Sequence, residues 1–200
     1  MDTFEVITSR RSIKNFDKTH KMTKNEIMNL LEFAILSPTS YNIQNWRFVI
    51  VTEQDLKDKL SELSHGQKQV SESSLVIILC ADLKSWNKNP ERYWINIPEE
   101  SRKALVDSMR NSYDGKSELQ RDEAMRSCGM AAQTIMLAAK SMGYDTCPMK
   151  GFDYGEVGKL IHLPGDHVIS MMVVVGKATK PASSRGGQLQ LSEIMFENSF

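Results

Sequence analysis

The chain has 200 residues, of which 25 are basic and 25 acidic, so its formal net charge at pH 7 is zero. This length suits a single domain of residues 1–200, although length alone leaves two smaller domains open. The balanced charge gives no general attraction for nucleic acid or for an anionic membrane. No apolar run approaches the roughly 20 residues of a membrane span, and the N-terminal sequence lacks the features of a signal peptide, so we expect a cytoplasmic protein.

The first half of the chain predicts a capped helix, a strand and a second helix. Thr23 and Glu26 form a capping-box pair, and the apolar residues that follow recur at helical spacing until Pro38 ends the helix. Residues 48–51 are typical of a buried strand. Thr52 is predicted to cap the next helix, whose apolar positions are Leu56, Leu60 and Leu63.

A second apolar run, residues 75–81, is continuous rather than alternating. Such a run predicts a strand buried on both faces, which requires helices above and below the sheet. The polar residues 65–70 before it are predicted to be a link. The fold should therefore be layered.

The second half of the chain contains the longest predicted helix, from Ser117 to about Met142, which is apolar over much of its circumference. That pattern places it at the centre of the fold or at a subunit interface. A helix over about 99–113 precedes it, and the aromatic residues before that helix fit either a lid or ordinary packing: Trp86, Tyr93 and Trp94. Gly143 should stop the long helix. A short helix ending near Leu163 and a strand over 167–175 follow it.

The three cysteines lie in apolar surroundings without a C-x-x-C pair, which predicts reduced core thiols. They are Cys80, Cys128 and Cys147. Residues 177–200 have little periodicity yet contain several large apolar side chains. An arm that packs across a partner subunit is a plausible use of such a tail.

Two polar stretches stand beside these elements. The first, Arg10-Arg11-Ser12-Ile13-Lys14-Asn15-Phe16, offers three cations and a hydroxyl. The second, Ser37-Pro38-Thr39-Ser40-Tyr41-Asn42-Ile43-Gln44-Asn45-Trp46-Arg47-Phe48, is a turn dense in hydroxyls and amides between two rigid elements. Such a turn can present several hydrogen-bond donors in one direction. Taken alone, the first also fits a solvated basic patch and the second an ordinary helix-to-strand loop.

In their order and spacing the two stretches resemble the nitroreductase-like family of FMN-dependent NAD(P)H oxidoreductases. The family pattern is an early Arg-Arg-Ser-Ile-Arg/Lys-x-Phe, followed by a Ser-Pro-Ser-Ser-x-Asn-x-Gln-Pro-Trp turn, and the likeness extends over essentially the whole chain. The resemblance implies a three-layer α+β fold with a central, mainly antiparallel sheet flanked by helices. It also implies an intertwined homodimer with an extended C-terminal arm and FMN at the subunit interface.

The resemblance further implies which residues hold FMN. For the phosphate they are Arg10, Arg11, Ser12 and Arg185, with Lys14 at the N1 edge of the ring. For the ribityl chain and ring edge, donated by the other subunit, they are Pro38, Thr39, Ser40, Asn42 and Gln44. For the pyrimidine edge they are Gln67, Lys68 and Gln69. Beneath N5 they are Pro148, Met149, Lys150 and Gly151.

This sequence departs from the family pattern at three places. Lys150 stands where Glu is frequent, which would make the pocket more positive. Asn45 stands where Pro is usual, which should loosen the turn. Gln188 precedes Leu189-Gln190-Leu191 where many relatives have Arg, so Arg185 would have to reach the phosphate instead.

The resulting hypothesis is an enzyme that uses NADH or NADPH to reduce a small-molecule acceptor, such as a nitroaromatic or a quinone, by a ping-pong mechanism. Because flavin N5 carries the hydride, no catalytic protein residue and no metal are expected. The alternatives are a flavin-binding storage or redox-sensing module with little turnover, and a scaffold without cofactor. The sequence has no Rossmann glycine fingerprint, no zinc-ligand spacing and no nucleophile elbow.

Overall fold

The computed structural model describes residues 2–200 of the chain. The helices are α1 (Thr3–Ser9), α2 (Lys24–Ala34), α3 (Gln54–Leu63), α4 (Lys68–Glu72), α5 (Glu99–Tyr113), α6 (Ser117–Ser141), α7 (Tyr154–Leu160) and α8 (Leu191–Ile194). The strands are β1 (Trp46–Val51), β2 (Leu75–Asp82), β3 (Asp145–Met149) and β4 (His167–Gly176). Short 3-10 turns lie at Ser40–Asn42, Ser85–Asn87 and Pro90–Trp94.

The four strands form one antiparallel sheet in the order β1-β2-β4-β3. The central strand β2 is buried along its whole length, as its continuous apolar sequence predicts. Its side chains alternate between two cores because successive residues of a strand point to opposite faces. Ile77 and Leu79 pack in the core that contains the inner faces of α2 and α6, whereas Val76 and Ile78 pack in the core beneath α3, α4 and α7. The predicted three-layer α+β fold is confirmed.

Several local predictions need correction. α3 begins at Gln54 with Glu53 as its N-cap and no side-chain cap, so the prediction that Thr52 caps it is wrong. Residues 65–70 were predicted to be a link, but α4 starts at Lys68, so the prediction is wrong for residues 68–70. The sequence reading also missed β3, a short strand that contains a proline and lies at the edge of the sheet, where a missing N–H is tolerated.

The aromatic residues before α5 were compatible with either a lid or ordinary packing, and the structure favours packing. Trp86 and Tyr93 are buried with Ile43, which follows the 3-10 turn at Ser40–Asn42, and with Met109 and Tyr113 of α5. The bounds of α5 agree with the predicted 99–113. The three cysteines are all free and buried, which confirms the prediction of core thiols.

The N-terminal segment after α1 runs along the edge of the sheet. Ser12 makes a parallel bridge with Thr146 of β3, and Phe16 an antiparallel bridge with Ala178 just after β4. The Ile13 N–H donates to the Thr146 carbonyl at 2.9 Å. A Cβ at Gly176 would lie 2.9 Å from the Phe16 ring, so the glycine allows this close approach. The cationic stretch is thereby fixed beside β3.

The tail beyond β4, described over residues 177–200, has no helix or strand other than α8. Its large apolar side chains are exposed, including Leu189, Leu191, Met195 and Phe196. This exposure is compatible with an arm that packs on a partner; the arm, the homodimer and the assignment of residues 1–200 to one domain stay predictions. Within residues 2–200, no helix is long and apolar enough to cross a membrane.

Lys57 of α3 is a buried cation inside the second core. Its side chain is fully buried, and Nζ donates to the Ser73 carbonyl at 2.6 Å. Burial, with a further contribution from Lys21, lowers the pKa of Lys57 to about 8. Between that value and its ordinary pKa of 10.5, the unfolded chain binds more protons at this residue than the folded chain does.

We therefore expect Lys57→Met to change how stability depends on pH. From pH 8 to 10.5 the wild-type chain should gain free energy of unfolding relative to Lys57→Met, by about 2 kcal/mol. Urea denaturation across this pH range measures the difference. Lys59→Met, an exposed position of the same helix, is the control and should follow the wild type. If the free energies of unfolding of the wild type and of Lys57→Met changed in parallel between pH 8 and 10.5, the prediction would be contradicted.

Candidate functional site: a cationic cleft and a strained turn

The cations of the N-terminal stretch and of the tail share one cleft. Its volume is about 360 Å³, and its lining includes Arg10, Arg11, Ser12, Lys14 and Arg185. Two hydrogen bonds tie the tail to the N-terminal segment here. Arg11 Nη2 donates to the Ser183 carbonyl at 2.5 Å, and Arg185 Nη2 donates to the Thr8 carbonyl at 3.2 Å. The structure thus brings together the four residues predicted to hold the phosphate and Lys14, predicted at the N1 edge of the ring.

Arg10 differs from its neighbours in this cleft. Its Nη1 atom is buried and has no hydrogen-bond partner within residues 2–200. Leaving a buried charged donor unpaired is costly, so native structures supply an acceptor for nearly all such groups. An oxyanion with several acceptor oxygens would satisfy it. The donor set of this cleft therefore fits a phosphate group.

A second group of predicted residues meets where β3 ends. Gln67 Nε2 donates to the Gly151 carbonyl at 3.0 Å, and Gln69 Nε2 donates to Gln67 Oε1 at 2.7 Å. Pro148 and Met149 end β3, and the side chains of Lys68 and Lys150 are exposed. Because Ser12 is bridged to Thr146 in parallel, the N-terminal cations and this amide group approach along the same sheet edge.

The turn between α2 and β1 has an unusual backbone. Tyr41, Asn42 and Gln44 all have positive φ, at 50°, 50° and 41°. Non-glycine residues in this region cost on the order of 1 kcal/mol or more each, and such strain clusters at functional sites. The turn is held by hydrogen bonds from the Gln44 N–H to Thr39 Oγ1 at 3.0 Å and from Asn42 Nδ2 to the Tyr93 carbonyl at 2.8 Å.

Glu123 of α6 supports the same turn from beneath, and sequence reasoning did not identify it. Its carboxylate is buried and accepts the Ser40 N–H at 3.2 Å and the Ser127 hydroxyl at 3.1 Å. Arg126 completes the group with an ion pair at 3.0 Å. A lone acidic residue on the apolar side of α6 is the one signal that could have pointed to it.

The turn does not line the cationic cleft of the same chain. Gln44 instead lines a separate cleft of about 430 Å³ with Trp46, Arg47, Arg92 and Tyr93. One chain therefore presents the predicted site in two parts. That a second chain unites them stays a prediction. Arg47 and Arg92 are further residues that the sequence analysis did not assign.

Next to this second cleft lies an ion-pair network around Asp82, which is buried. Lys88 Nζ donates to Asp82 at 2.9 Å and to Asp166 at 2.6 Å. The hydrogen bonds from Lys88 and from His167 lower the pKa of Asp166 to about 2. Asp82, Asp166 and His167 each offer a ligand atom within 4.8 Å of the others, but the Lys88 ammonium already supplies a cation there. The network fixes the segment before α5 to β2 and β4.

The comparisons with known proteins agree with this fold. Residues 7–177 match the model of the Nitroreductase family, and the chain therefore belongs to that family. It is 46% identical over 200 residues to Protein DrgA of Synechocystis, covering 98% of this chain and 95% of the relative.

Two further matches also extend over nearly the whole chain. One is YodC of Bacillus subtilis, assigned as an NAD(P)H nitroreductase, with 32% identity over 96% of this chain and 97% of the relative. The other is an Exiguobacterium sibiricum structure, assigned as a nitroreductase in complex with FMN. It has a TM-score of 0.91 and 29% identity, and the match covers 98% of this chain and 97% of that one.

The role of Glu123 under the turn can be tested by stability. In Glu123→Ala the Ser40 N–H and Arg126 lose their acceptor, so we expect the free energy of unfolding to fall by about 1 to 3 kcal/mol. Asp122→Ala, an exposed acidic residue one position earlier, is the control and should change it by no more than about 0.5 kcal/mol. Urea denaturation gives both values. Equal losses of free energy of unfolding in the two variants would contradict the role of Glu123 in supporting the turn.

Proposed function

We propose that the protein is an FMN-dependent oxidoreductase that uses NADH or NADPH to reduce small acceptors such as nitroaromatics and quinones. The observation that carries the proposal is the buried, unpartnered donor of Arg10 in a cationic cleft, in a chain of the Nitroreductase family. The FMN in the Exiguobacterium sibiricum structure and the assignment of YodC support the cofactor and the hydride donor.

When bound, FMN would supply the redox chemistry, a two-electron transfer from the nicotinamide donor to the acceptor. The phosphate is held by Arg10 and Ser12, with Arg11 and Arg185 adding positive charge. Lys14, whose side chain is exposed in the same cleft, would hold a positive charge near the N1 edge of the bound ring and so favour the reduced anion.

The amide group at the end of β3 binds and orients the ring. Gln67 and Gln69 offer donors and acceptors to the pyrimidine edge, with Lys68 beside them. At 148–151 the main chain can donate to N5, and Gly151 has no side chain to prevent close approach. The protein therefore contributes orientation and positive charge rather than a nucleophile.

The second part of the site comes from a partner chain in a homodimer. Residues 38–44 of each chain then contact the ribityl chain and ring edge of the flavin that the other chain holds. The strained turn fixes their polar atoms in position beforehand. Large apolar side chains are exposed on α1, on α2 and in the tail, as expected for surfaces that pair. The most exposed outside the tail are Phe4 and Leu36, at 81% and 76%.

Removing the Arg10 donor should weaken cofactor binding. We expect Arg10→Ala to raise the Kd for FMN by about 10- to 100-fold, because a charge-assisted hydrogen bond to the phosphate is lost. Lys68→Ala, which removes an exposed cation near the amide group, should change it much less. Quenching of FMN fluorescence on titration with apoprotein measures both. Equal flavin occupancy in the two variants would contradict the assignment.

Turnover separates an enzyme from a flavin-binding storage or sensing module. Under anaerobic conditions NADH or NADPH should bleach the flavin, and a nitroaromatic or quinone should restore its colour. Because donor and acceptor use the same flavin face in turn, double-reciprocal plots at several acceptor concentrations should be parallel. Intersecting lines would overturn the ping-pong mechanism, and a flavin that stays oxidised with both donors would overturn the enzyme.

A further inference from the structure

The cleft beside the strained turn contains two arginines for which the proposed function gives no role. Gln44, Trp46, Arg47, Arg92 and Tyr93 line it, and its volume of about 430 Å³ is enough for a small polar group. The two arginines reach it from different elements, β1 and the 3-10 turn at Pro90–Trp94. Convergence of two guanidinium groups on one cleft is the arrangement that binds oxyanions.

Arg47 is the fixed member of the pair. Its Nη1 donates to the carbonyls of Gln44 and Trp46 at 2.9 and 2.8 Å, and its Nη2 lies 3.4 Å from Asp82. Asp82 is shared with Lys88, which also pairs with Asp166, so the acidic charges of this network are already matched by cations. Arg47 remains 37% exposed toward solvent. Because Asp82 compensates its charge, Arg47 forms a fixed polar wall of the cleft.

In the part of the chain that the structure describes, Arg92 is the arginine of the pair whose positive charge is not paired with a carboxylate. Its guanidinium lies over the Tyr93 ring with a distance of 5.0 Å to the centroid, and Nη2 donates to the Tyr93 hydroxyl at 3.0 Å. Within residues 2–200 it has no carboxylate within 4.0 Å, because the neighbouring Glu91 pairs with Arg110 instead. Its side chain is exposed, so several of its donors remain available to a ligand.

The cleft is joined to the strained turn. Asn42 donates to the Tyr93 carbonyl, and Gln44 both lines the cleft and donates through Nε2 to Asn42 Oδ1 at 3.2 Å. In the proposed function this turn contacts the flavin. A substrate that stacks on the flavin would therefore extend toward Arg92 and Arg47.

We infer that this cleft binds an oxyanion carried by a substrate of the flavin, either the 2′-phosphate of the nicotinamide donor or a carboxylate on the acceptor. The inference rests on the proposed function for the position of the flavin. Arg92 supplies the charge that discriminates between substrates, and Arg47 and Gln44 shape the cleft around it. Neither arginine takes part in hydride transfer.

The test uses FMN-saturated protein and compares Arg92→Ala and Arg92→Lys with the wild type. Arg102→Ala is the matched control, since it removes a guanidinium from α5 that lines a different cleft. Two arms separate the sources of the oxyanion. Anaerobic flavin bleaching compares NADPH with NADH, and reoxidation of the reduced flavin compares 4-nitrobenzoate with neutral 4-nitrobenzyl alcohol.

In one of the two arms, we expect Arg92→Ala to lower kcat/KM for the charged substrate by about tenfold or more, the size of one charge-assisted hydrogen bond. The neutral or NADH counterpart should change by less than about twofold, and Arg92→Lys should recover part of the loss because charge without the planar fork binds oxyanions less well. Equal losses for charged and uncharged substrates, or no loss in either arm, would overturn the inference.

A binding measurement keeps the inference independent of turnover. Adenosine 2′,5′-bisphosphate and benzoate, titrated at constant ionic strength, should change the tryptophan fluorescence saturably because Trp46 lines the cleft. At least one of these probes should bind about tenfold more weakly to Arg92→Ala and equally to Arg102→Ala. If the probes bound but neither NADH nor NADPH reduced the flavin, the oxyanion-binding cleft would be supported and the proposed function would be contradicted. No saturable binding of either probe would overturn the cleft itself.

Discussion

The backbone hydrogen bonds that hold residues 10–17 against the sheet edge determine where the site can form. Ile13 pairs with Thr146 of β3, and Asp17 and Asn15 pair with the chain just after β4, at Lys177 and Thr179. Without them the cations would lie on a free segment between α1 and α2. With them, the cationic stretch is fixed beside β3, and the amide group of Gln67 and Gly151 lies where that strand ends. Rigid strands thus position residues that have no regular structure themselves.

The central strand makes that sheet edge rigid. Because β2 is buried on both faces, its apolar side chains pack in two cores at once, one with each helical layer. The strained turn depends on the same layers. Its left-handed residues persist only because Glu123 of α6, Tyr93 and Thr39 all hold it by hydrogen bonds. Fold stability therefore maintains the strain of the turn.

Much of this architecture could be predicted from the sequence, for identifiable reasons. The continuous apolar run at 75–81 and the helical spacing of α5 and α6 are long, local patterns, and each was assigned correctly. β3 and α4 have five residues each and carry no such pattern, so tertiary pairing rather than periodicity defines them. The early cations and the turn were recognised by their motifs. The tail could not be positioned, because its conformation depends on contacts other than those of its own segment.

The residues missed at the site show a different limit. Glu123, Arg47 and Arg92 lie far apart in the chain and belong to no motif, so their grouping around the turn exists only in three dimensions. Ordinary surface arginines and a helix glutamate have the same local sequence signals. Hydrogen bonding distinguishes all three residues, and burial also distinguishes Glu123, but neither can be read from spacing.

The two clefts differ in how their cations are hydrated, and this difference matches two kinds of ligand. The Arg10 Nη1 atom is buried, so a ligand that left it would remove an acceptor that water does not readily replace. A ligand at such a site dissociates at a high cost, as suits a resident cofactor. Arg92 is exposed, so water would replace a ligand that left it. A site of that kind releases its ligand easily, as a substrate that enters and leaves in every cycle requires.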